Sequence, residues 1–252
     1  MSDGDRRETS PALQKLFAKY THLPLGRKKI RCPYWMNNLK RGIFGPGGGK
    51  GKPEEIVEIT ERKAKKANLD LGKMTEEEII SFMEKSRIGI DCSGFVFWMM
   101  DVFDKEKGGN GITDDIPGCQ GKFLCRANVK MLTGEEVTLP IEKVKDIKVG
   151  DIIRLHGGKH VTMVIRVIRD QLKISPDGAG QALGKIREIE YAHSSGLTET
   201  SGVHSGRIII NDPDFGLEKQ TWQEKTDEGE NYGHKYYLAT FGDGVKRLKI
   251  WA

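Results

Sequence analysis

Residues 91–100, with the sequence DCSGFVFWMM, decide the fold that we expect for this chain. Small polar residues surround Cys92, and an uninterrupted apolar run begins at Phe95. This pattern predicts a turn that leads into a buried helix, with Cys92 at the helix N-terminus. The helix dipole and the free N–H groups at that end favour a thiolate over a thiol. Because the thiolate is the nucleophile of cysteine enzymes, Cys92 is a candidate catalytic residue, and a buried structural cysteine is the alternative.

The composition limits the classes of protein to which the chain can belong. It has 252 residues, of which 37% are hydrophobic and 31% charged, which is typical of one large soluble domain or one domain with elaborations. The net charge of +5 permits an anionic partner, but no basic stripe with interleaved aromatic residues predicts nucleic-acid binding. No run approaches the roughly 18 apolar residues of a membrane span. The N-terminus is polar and resembles no signal peptide, so a cytoplasmic location is the default expectation, or a secreted or wall-associated one by another export route.

The cysteine and glycine patterns predict no metal or cofactor. None of the four cysteines forms a CxxC pair, so we expect no structural zinc. Cys119 and Cys125 could form a disulfide in an oxidising compartment. The acidic residues within 101–110 do not have calcium-loop spacing. Residues 42–52 are rich in glycine but lack the phosphate-loop spacing and a preceding strand, so we predict a flexible surface loop there.

Hydrophobic periodicity predicts helices first and strands second. Residues 1–11 lack an apolar pattern and are predicted to be a disordered arm, whereas 12–20 have the pattern of a short amphipathic helix. Further helices are predicted over 53–67 and from Thr75, where Glu78 completes a capping box. Strands are predicted at 152–155, 161–168, 186–191, 207–210, 236–240 and 246–251. Helices followed by antiparallel strands indicate an α+β fold.

A thiol nucleophile needs a base within hydrogen-bond reach and a third group that orients the base. Histidine suits the role of base because its pKa lies near neutrality. Among six histidines, His160 begins a predicted strand after a glycine-rich turn, and His193 follows the end of another. Each position places a side chain where it can face a site. Taken alone, each is better explained as an ordinary turn or strand-end histidine.

Four motifs in chain order resemble the NlpC/p60 family of papain-like cysteine peptidases. They are the DCSGF sequence at 91–95, Gly150-Asp151, His160-Val161 and His193-Ser194-Ser195. The segment Pro33-Tyr34-Trp35 is similar to that family's Pro-Tyr-x-Trp-Gly-Gly motif, with the tryptophan one place early and without the two glycines. The resemblance covers roughly residues 31–210.

The resemblance implies a papain-like fold in which N-terminal helices, with the catalytic cysteine at a helix N-terminus, pack on an antiparallel sheet. Residues 1–29 would form an N-terminal arm and short helix, and 30–252 an NlpC-type domain with insertions at about 42–87 and 105–144. Cys92 would be the nucleophile, His160 the general base and His193 the residue that orients it. Tyr34 would lie near the oxyanion. Asp91 and Ser93 would be turn and substrate-edge residues, with Asp91 best explained as a cap.

The resemblance also implies hydrolysis of an amide bond through a Cys-His-His triad, with a peptide or peptidoglycan fragment as the substrate. The long insertions, and the lack of a recognisable leader or wall-binding module, leave the substrate less certain than the chemistry. Two alternatives stay open. One is a papain-like acyltransferase, or an amidase that acts on a non-wall substrate. The other is a non-catalytic binding module whose basic surface contacts an anionic partner.

Overall fold

A computed structural model describes residues 5–37, 45–119, 127–170 and 184–252. Within these residues the chain has the α+β architecture that the sequence predicts. It has six α-helices: α1 (Pro11–Thr21), α2 (Pro53–Lys66), α3 (Glu76–Lys85), α4 (Cys92–Glu106), α5 (Val129–Thr133) and α6 (Tyr232–Tyr236). Its strands are β1 (Asp5–Thr9), β2 (Leu23–Leu25), β3 (Lys28–Ile30), β4 (Thr138–Ile141), β5 (Ile152–Leu155), β6 (His160–Asp170), β7 (Ile186–Ser195), β8 (Gly202–Ile209), β9 (Thr221–Trp222) and β10 (Gly244–Leu248).

Helix α4 lies at the centre of the larger hydrophobic core. Eleven of its residues are buried, from Cys92 to Asp104, as expected of a helix that is apolar around most of its circumference. It packs against α1 on one side and against β6 and β7 on the other. The helix begins at Cys92, as predicted, because Asp91 caps it: the Asp91 carboxylate accepts the Gly94 N–H at 2.7 Å.

The large sheet is antiparallel throughout, with the strand order β4-β10-β5-β6-β7-β8-β9. Strand β1 pairs with residues 166–170 of β6. It lies along the same side of β6 as β5, which pairs with residues 160–163. The central strands β6 and β7 therefore carry the two candidate histidines. His193 lies inside β7 rather than after the end of a strand, and it pairs across the ladder with His204 of β8.

The predicted disordered arm is wrong for Asp5–Thr9, which form β1. The register runs from Asp5 opposite Asp170 to Thr9 opposite Arg166. Glu8 accepts a hydrogen bond at 3.1 Å from the buried guanidinium of Arg169, which anchors the strand. The strand is held by its backbone ladder and by the Glu8–Arg169 ion pair rather than by buried side chains. Its sequence, DRRET, therefore shows no apolar alternation.

Helix α1 belongs to the same core as the cysteine helix. Leu13 and Tyr20 are fully buried in that core, and the Tyr20 ring contacts Phe95 of α4 edge-on at a centroid distance of 5.4 Å. Helices α2 and α3 pack against the β2–β3 hairpin. The capping box of α3 is confirmed: Thr75 Oγ1 accepts the Glu78 N–H, and the Glu78 carboxylate accepts the Thr75 N–H.

The C-terminal region differs from the prediction in two elements. The strand predicted at 246–251 ends at Leu248, and Lys249–Trp251 form a 3₁₀ turn instead. Residues 236–240 do not form a strand, because Asn231 caps α6 by accepting the His234 N–H at 3.1 Å and a short 3₁₀ turn follows at Ala239–Phe241. Strand β10 is tied to β5 by an ion pair. Arg247 donates from Nε and Nη2 to the two carboxylate oxygens of buried Asp151, at 2.7 and 2.8 Å. Of the helices that the structure describes, none combines the length and apolar character needed to cross a membrane.

Candidate active site

Cys92 is the first residue of α4 and only 6% exposed. Backbone N–H groups of Val161 and Ser93 lie near its sulfur and lower the pKa of the thiol. Burial raises the pKa of the Cys92 thiol to about 12, and the negative charge of Asp91 adds to that effect. Lys50 and the two N–H groups act in the opposite direction without cancelling it. The expectation that the helix terminus holds a thiolate is therefore wrong for this structure, because burial has the larger effect.

Lys50 is a site residue that the sequence analysis missed. Its ammonium donates to both carboxylate oxygens of Asp91, at 2.5 and 2.7 Å, and to the Ser93 hydroxyl at 2.6 Å. The side chain is buried, so the prediction of a flexible surface loop is wrong for this lysine. The Asp91 N–H donates to the Gly49 carbonyl, which places this loop on the helix N-terminus. Residues 42–44 of the predicted loop lie outside the described residues.

Asp91 and Ser93 form one polar cluster beneath the cysteine. The cap role expected of Asp91 is confirmed, and its carboxylate also receives the Lys50 ion pair. Ser93 Oγ lies 3.1 Å from Asp91 Oδ1 and 3.2 Å from the Ala127 carbonyl oxygen, so its single proton is donated to one of them. Both side chains are buried and already hydrogen-bonded to other groups of the protein. They therefore position the helix terminus.

The structure brings Tyr34 close to the cysteine although the two are far apart in sequence. The Pro33 carbonyl accepts the Ile90 N–H, and the Trp35 N–H donates to the Ile90 carbonyl, so this segment runs beside the chain that enters the cysteine turn. Burial raises the pKa of the Tyr34 hydroxyl, and the nearby Cys92 and Asp91 charges raise it further. Tyr34 therefore keeps its proton and can donate it in a hydrogen bond.

His160 and His193 are in direct contact. His160 Nε2 lies 2.9 Å from His193 Nδ1, and both rings are buried. His160 immediately precedes Val161, whose N–H lies near the Cys92 sulfur. Within the described residues, the structure records no hydrogen bond from the Cys92 thiol to the His160 ring. The three candidate residues thus share one buried region, with the two histidines joined and the cysteine beside the start of β6.

Glu224 and His204 continue the histidine pair and were not predicted. His193 Nε2 lies 2.9 Å from Glu224 Oε1, and His204 Nε2 lies 2.6 Å from the same oxygen. Tyr191 donates its hydroxyl to the other oxygen, Oε2. Burial would raise the pKa of Glu224, but the charges and hydrogen bonds of the two histidines outweigh burial and hold it well below its usual range. Cross-strand pairing with His193 would have revealed His204 once the β7–β8 register was known, whereas no local pattern marks Glu224.

The carboxylate determines the direction of the hydrogen bonds as far as His160. Ionised Glu224 only accepts, so His193 donates from Nε2 and, as a neutral ring, accepts at Nδ1. His160 then donates from Nε2 and keeps a lone pair on Nδ1. Burial holds the pKa of His160 well below its usual value, and protonation of His193 would lower it further. His160 is therefore a neutral base whose Nδ1 is available to accept a proton.

Comparison of this chain with protein-family models, with curated proteins and with solved structures gives no match in any of the three. Fold alone never determines function, and here no relative supplies one. The function is therefore argued from the residues of the site and from the motifs quoted above.

Proposed function

We propose that this chain is a cysteine peptidase or amidase with a papain-like arrangement, in which Cys92 is the nucleophile and His160 the general base. One observation carries the proposal: His160 is oriented by the buried His193–Glu224 pair, and Val161, the residue that follows it, lies near enough to Cys92 for its N–H to lower the pKa of the thiol. A nucleophile, a base and groups that orient the base are what nucleophilic catalysis requires. They come from α4, β6, β7 and the segment after β9.

The reaction would begin from neutral partners. As the Cys92 sulfur attacks the amide carbonyl carbon, its proton passes to His160 Nδ1, and the carbonyl oxygen takes up the negative charge. The Cys92 N–H, which has no acceptor within the helix, and the Tyr34 hydroxyl are the donors assigned to that oxyanion. His160 then returns the proton to the leaving amine as the C–N bond breaks, which leaves a thioester. Water, deprotonated by His160, cleaves the thioester and releases the acid and the thiol.

The substrate class rests on the sequence resemblance, which favours a peptidoglycan-type stem peptide. Acyl transfer, or hydrolysis of a non-wall amide, would use the same residues. A non-catalytic binding module is the second candidate, and one observation favours it: burial raises the pKa of Cys92 to about 12, so few thiolates exist at neutral pH. The catalytic candidate remains our proposal because a binding module has no need of a base oriented by His193 and Glu224.

Substitution of the base tests the proposal. Muropeptides and γ-glutamyl peptides are incubated with the wild type and with His160→Ala, with and without an added amine, and the products are identified by mass. We expect the wild type to release an acid, or an amide where the amine is the acceptor, and His160→Ala to lose about 10²–10⁴-fold in rate.

His234→Ala is the matched control, because His234 is exposed on α6. It should keep the wild-type rate. A His160→Ala variant that folds and turns over as fast as His234→Ala contradicts the assignment of the base. A wild type that cleaves no member of the panel favours the binding module.

A further inference from the structure

We propose that His193, His204 and Glu224 form a binding site for a divalent transition metal, with Zn²⁺ as the favoured ion. The three potential ligand atoms are His193 Nε2, His204 Nε2 and Glu224 Oε1, and they converge on one point from β7, β8 and the segment after β9. The two nitrogens are 2.9 Å apart, and they lie 2.9 and 2.6 Å from the oxygen. This site goes beyond the proposed function, and the two use different tautomers of His193. With an ion on Nε2, the His193 proton lies on Nδ1 and is donated to His160 Nε2, so Nδ1 of His160 carries a proton and the metal-bound state is not the catalytic one.

The separations agree with three neighbouring positions around one ion. Zinc binds imidazole nitrogen and carboxylate oxygen at about 2.0–2.2 Å, which places adjacent ligand atoms about 2.8–3.1 Å apart at 90° and about 3.3–3.6 Å apart at the tetrahedral angle. The atoms therefore need to separate by a few tenths of an ångström for 90° angles, and by up to about 1 Å for tetrahedral ones, to admit the ion. Two imidazoles and one carboxylate are also a ligand set that first-row transition metals prefer over calcium or magnesium.

The hydrogen bonds of His204 point to the same conclusion. Its Nδ1 lies 2.9 Å from the Gly202 carbonyl oxygen, which only accepts, so Nδ1 carries a proton. Its Nε2 lies 2.6 Å from the ionised Glu224 carboxylate, which only accepts, so this nitrogen donates to that oxygen as His193 Nε2 does. A cation at the point of convergence takes the place of these two protons, and the two nitrogens become its ligands.

The surrounding contacts are those that orient metal ligands in proteins. A ligating histidine almost always donates its other N–H to a carbonyl, a carboxylate or water, and ligating carboxylates are themselves hydrogen-bonded. His204 donates its Nδ1–H to the Gly202 carbonyl, and Glu224 Oε2 accepts a hydrogen bond from the Tyr191 hydroxyl. The other nitrogen of His193 contacts His160.

An open cavity gives the ion a route to the site. A cavity of about 620 Å³ is lined by both His204 and Glu224, together with Thr198, Glu199, Gln223 and Lys225. Solvent in this cavity can supply the ligands that three protein atoms leave open, as in sites with three protein ligands and a water. The sequence gave no CxxC signal because these ligands contain no cysteine and come from separate elements.

Metal titration of the full chain tests the proposal without substrate, so its failure and that of the proposed function are distinguishable. The chain is treated with a chelator, and Zn²⁺ is added under calorimetry; the visible spectrum with Co²⁺ reports on the ligands. We expect one equivalent bound per chain. Tyr191→Phe should weaken binding about 10–100-fold, as loss of a contact to a ligand does, and His204→Ala should weaken it at least as much.

Three further variants make the result decisive. Glu224→Gln keeps the shape of the side chain and serves if His204→Ala does not fold, and it too should weaken binding. Cys92→Ser and His234→Ala should bind as the wild type does. The proposal is overturned if the wild type binds less than about a tenth of an equivalent, if folded His204→Ala or Glu224→Gln keeps the wild-type affinity, or if Cys92→Ser alone abolishes binding.

Discussion

Burial keeps both reacting side chains of the candidate site neutral. It raises the pKa of Cys92 to about 12, and it lowers the pKa of His160. A thiolate–imidazolium pair is therefore not the resting state of this site. The proton must move from sulfur to nitrogen while the sulfur attacks, which makes the orientation of His160 by His193 and Glu224 more important than in a site that is already ionised.

The pH dependence of alkylation tests this resting state. Iodoacetamide reacts with the thiolate, and below a thiol pKa of about 12 the thiolate fraction rises about tenfold per pH unit. We expect the alkylation rate of the Cys92 peptide, followed by mass spectrometry, to rise about tenfold per unit between about pH 7 and 9. A rate that is already at its plateau below neutral pH contradicts the neutral pair.

Residues next to the cysteine could be predicted from sequence, and residues far from it could not. The cap formed by Asp91 and the start of the helix at Cys92 follow from local pattern, because capping depends on neighbours within three positions. The role of Lys50 depends on a loop that returns to the helix from elsewhere in the chain. Glu224 likewise reaches His193 only after the sheet has formed.

At the scale of elements, the N-terminus of α4 depends on a close approach between two segments. A Cβ at Gly94 would lie 2.7 Å from the Gly49 carbonyl oxygen and 2.7 Å from Lys50 Cδ. The carbonyl is backbone and cannot rotate away as a side chain can. Glycine at this position therefore allows the loop that carries Lys50 to lie on the helix.

Gly94→Ala should destabilise the protein by about 1–3 kcal/mol, since overpacking outweighs the gain of about 1 kcal/mol that alanine brings to a helix. The free energy of unfolding is measured with urea. Gly244→Ala is the matched control, because nothing lies within 4 Å of a Cβ built there, and it should change stability by about 0.5 kcal/mol or less. If the two variants are equally stable, the loop of Gly49 and Lys50 does not lie against Gly94 as closely as described.

Elements with apolar alternation were predicted well, and elements held by polar contacts were not. Strand β5 has the predicted limits, and β6 and β7 contain their predicted ranges. Strand β1 was missed because its ladder and the Glu8–Arg169 pair, rather than an apolar face, hold it. The question of a bridge between Cys119 and Cys125 lies outside the described residues, since Cys125 is not among them.

At the scale of the whole molecule, the sheet keeps distant parts of the chain in register. Arg247 of β10 pairs with Asp151 at the start of β5, and both side chains are largely buried, at 12% and 2% exposed. Asp151 also accepts the Lys148 N–H at 2.8 Å. This pair joins β10 to the start of β5, the strand that pairs with β6 and therefore with the strand that carries His160.

Arg247→Met should cost about 3–5 kcal/mol in the free energy of unfolding, because it leaves the Asp151 carboxylate buried without its partner. Urea unfolding measures the change. Lys249→Ala, an exposed position just after β10, is the control and should be close to wild type. If Arg247→Met lowers the free energy of unfolding by less than about 1 kcal/mol, the ion pair does not hold β10 to β5.

The contact of His160 with His193, and the approach of Val161 to Cys92, were predictable only through the resemblance of motifs, because periodicity does not reveal which strands become neighbours. The structure of the antiparallel sheet shows two further contacts that the sequence does not reveal. His193 pairs with His204 across the β7–β8 ladder, and Glu224 contacts His193. A tertiary site of this kind depends on strand order, and strand order depends on the whole sheet.

The most direct test of the central claim is the rate of amide hydrolysis by Cys92→Ala beside Cys119→Ala. Cys119 is also buried and also has a raised thiol pKa, of about 11, so it controls for loss of a buried cysteine. With a muropeptide that the wild type cleaves, we predict that folded Cys92→Ala loses at least about 10⁴-fold in rate while Cys119→Ala keeps the wild-type rate. Hydrolysis by folded Cys92→Ala at the wild-type rate would contradict the account.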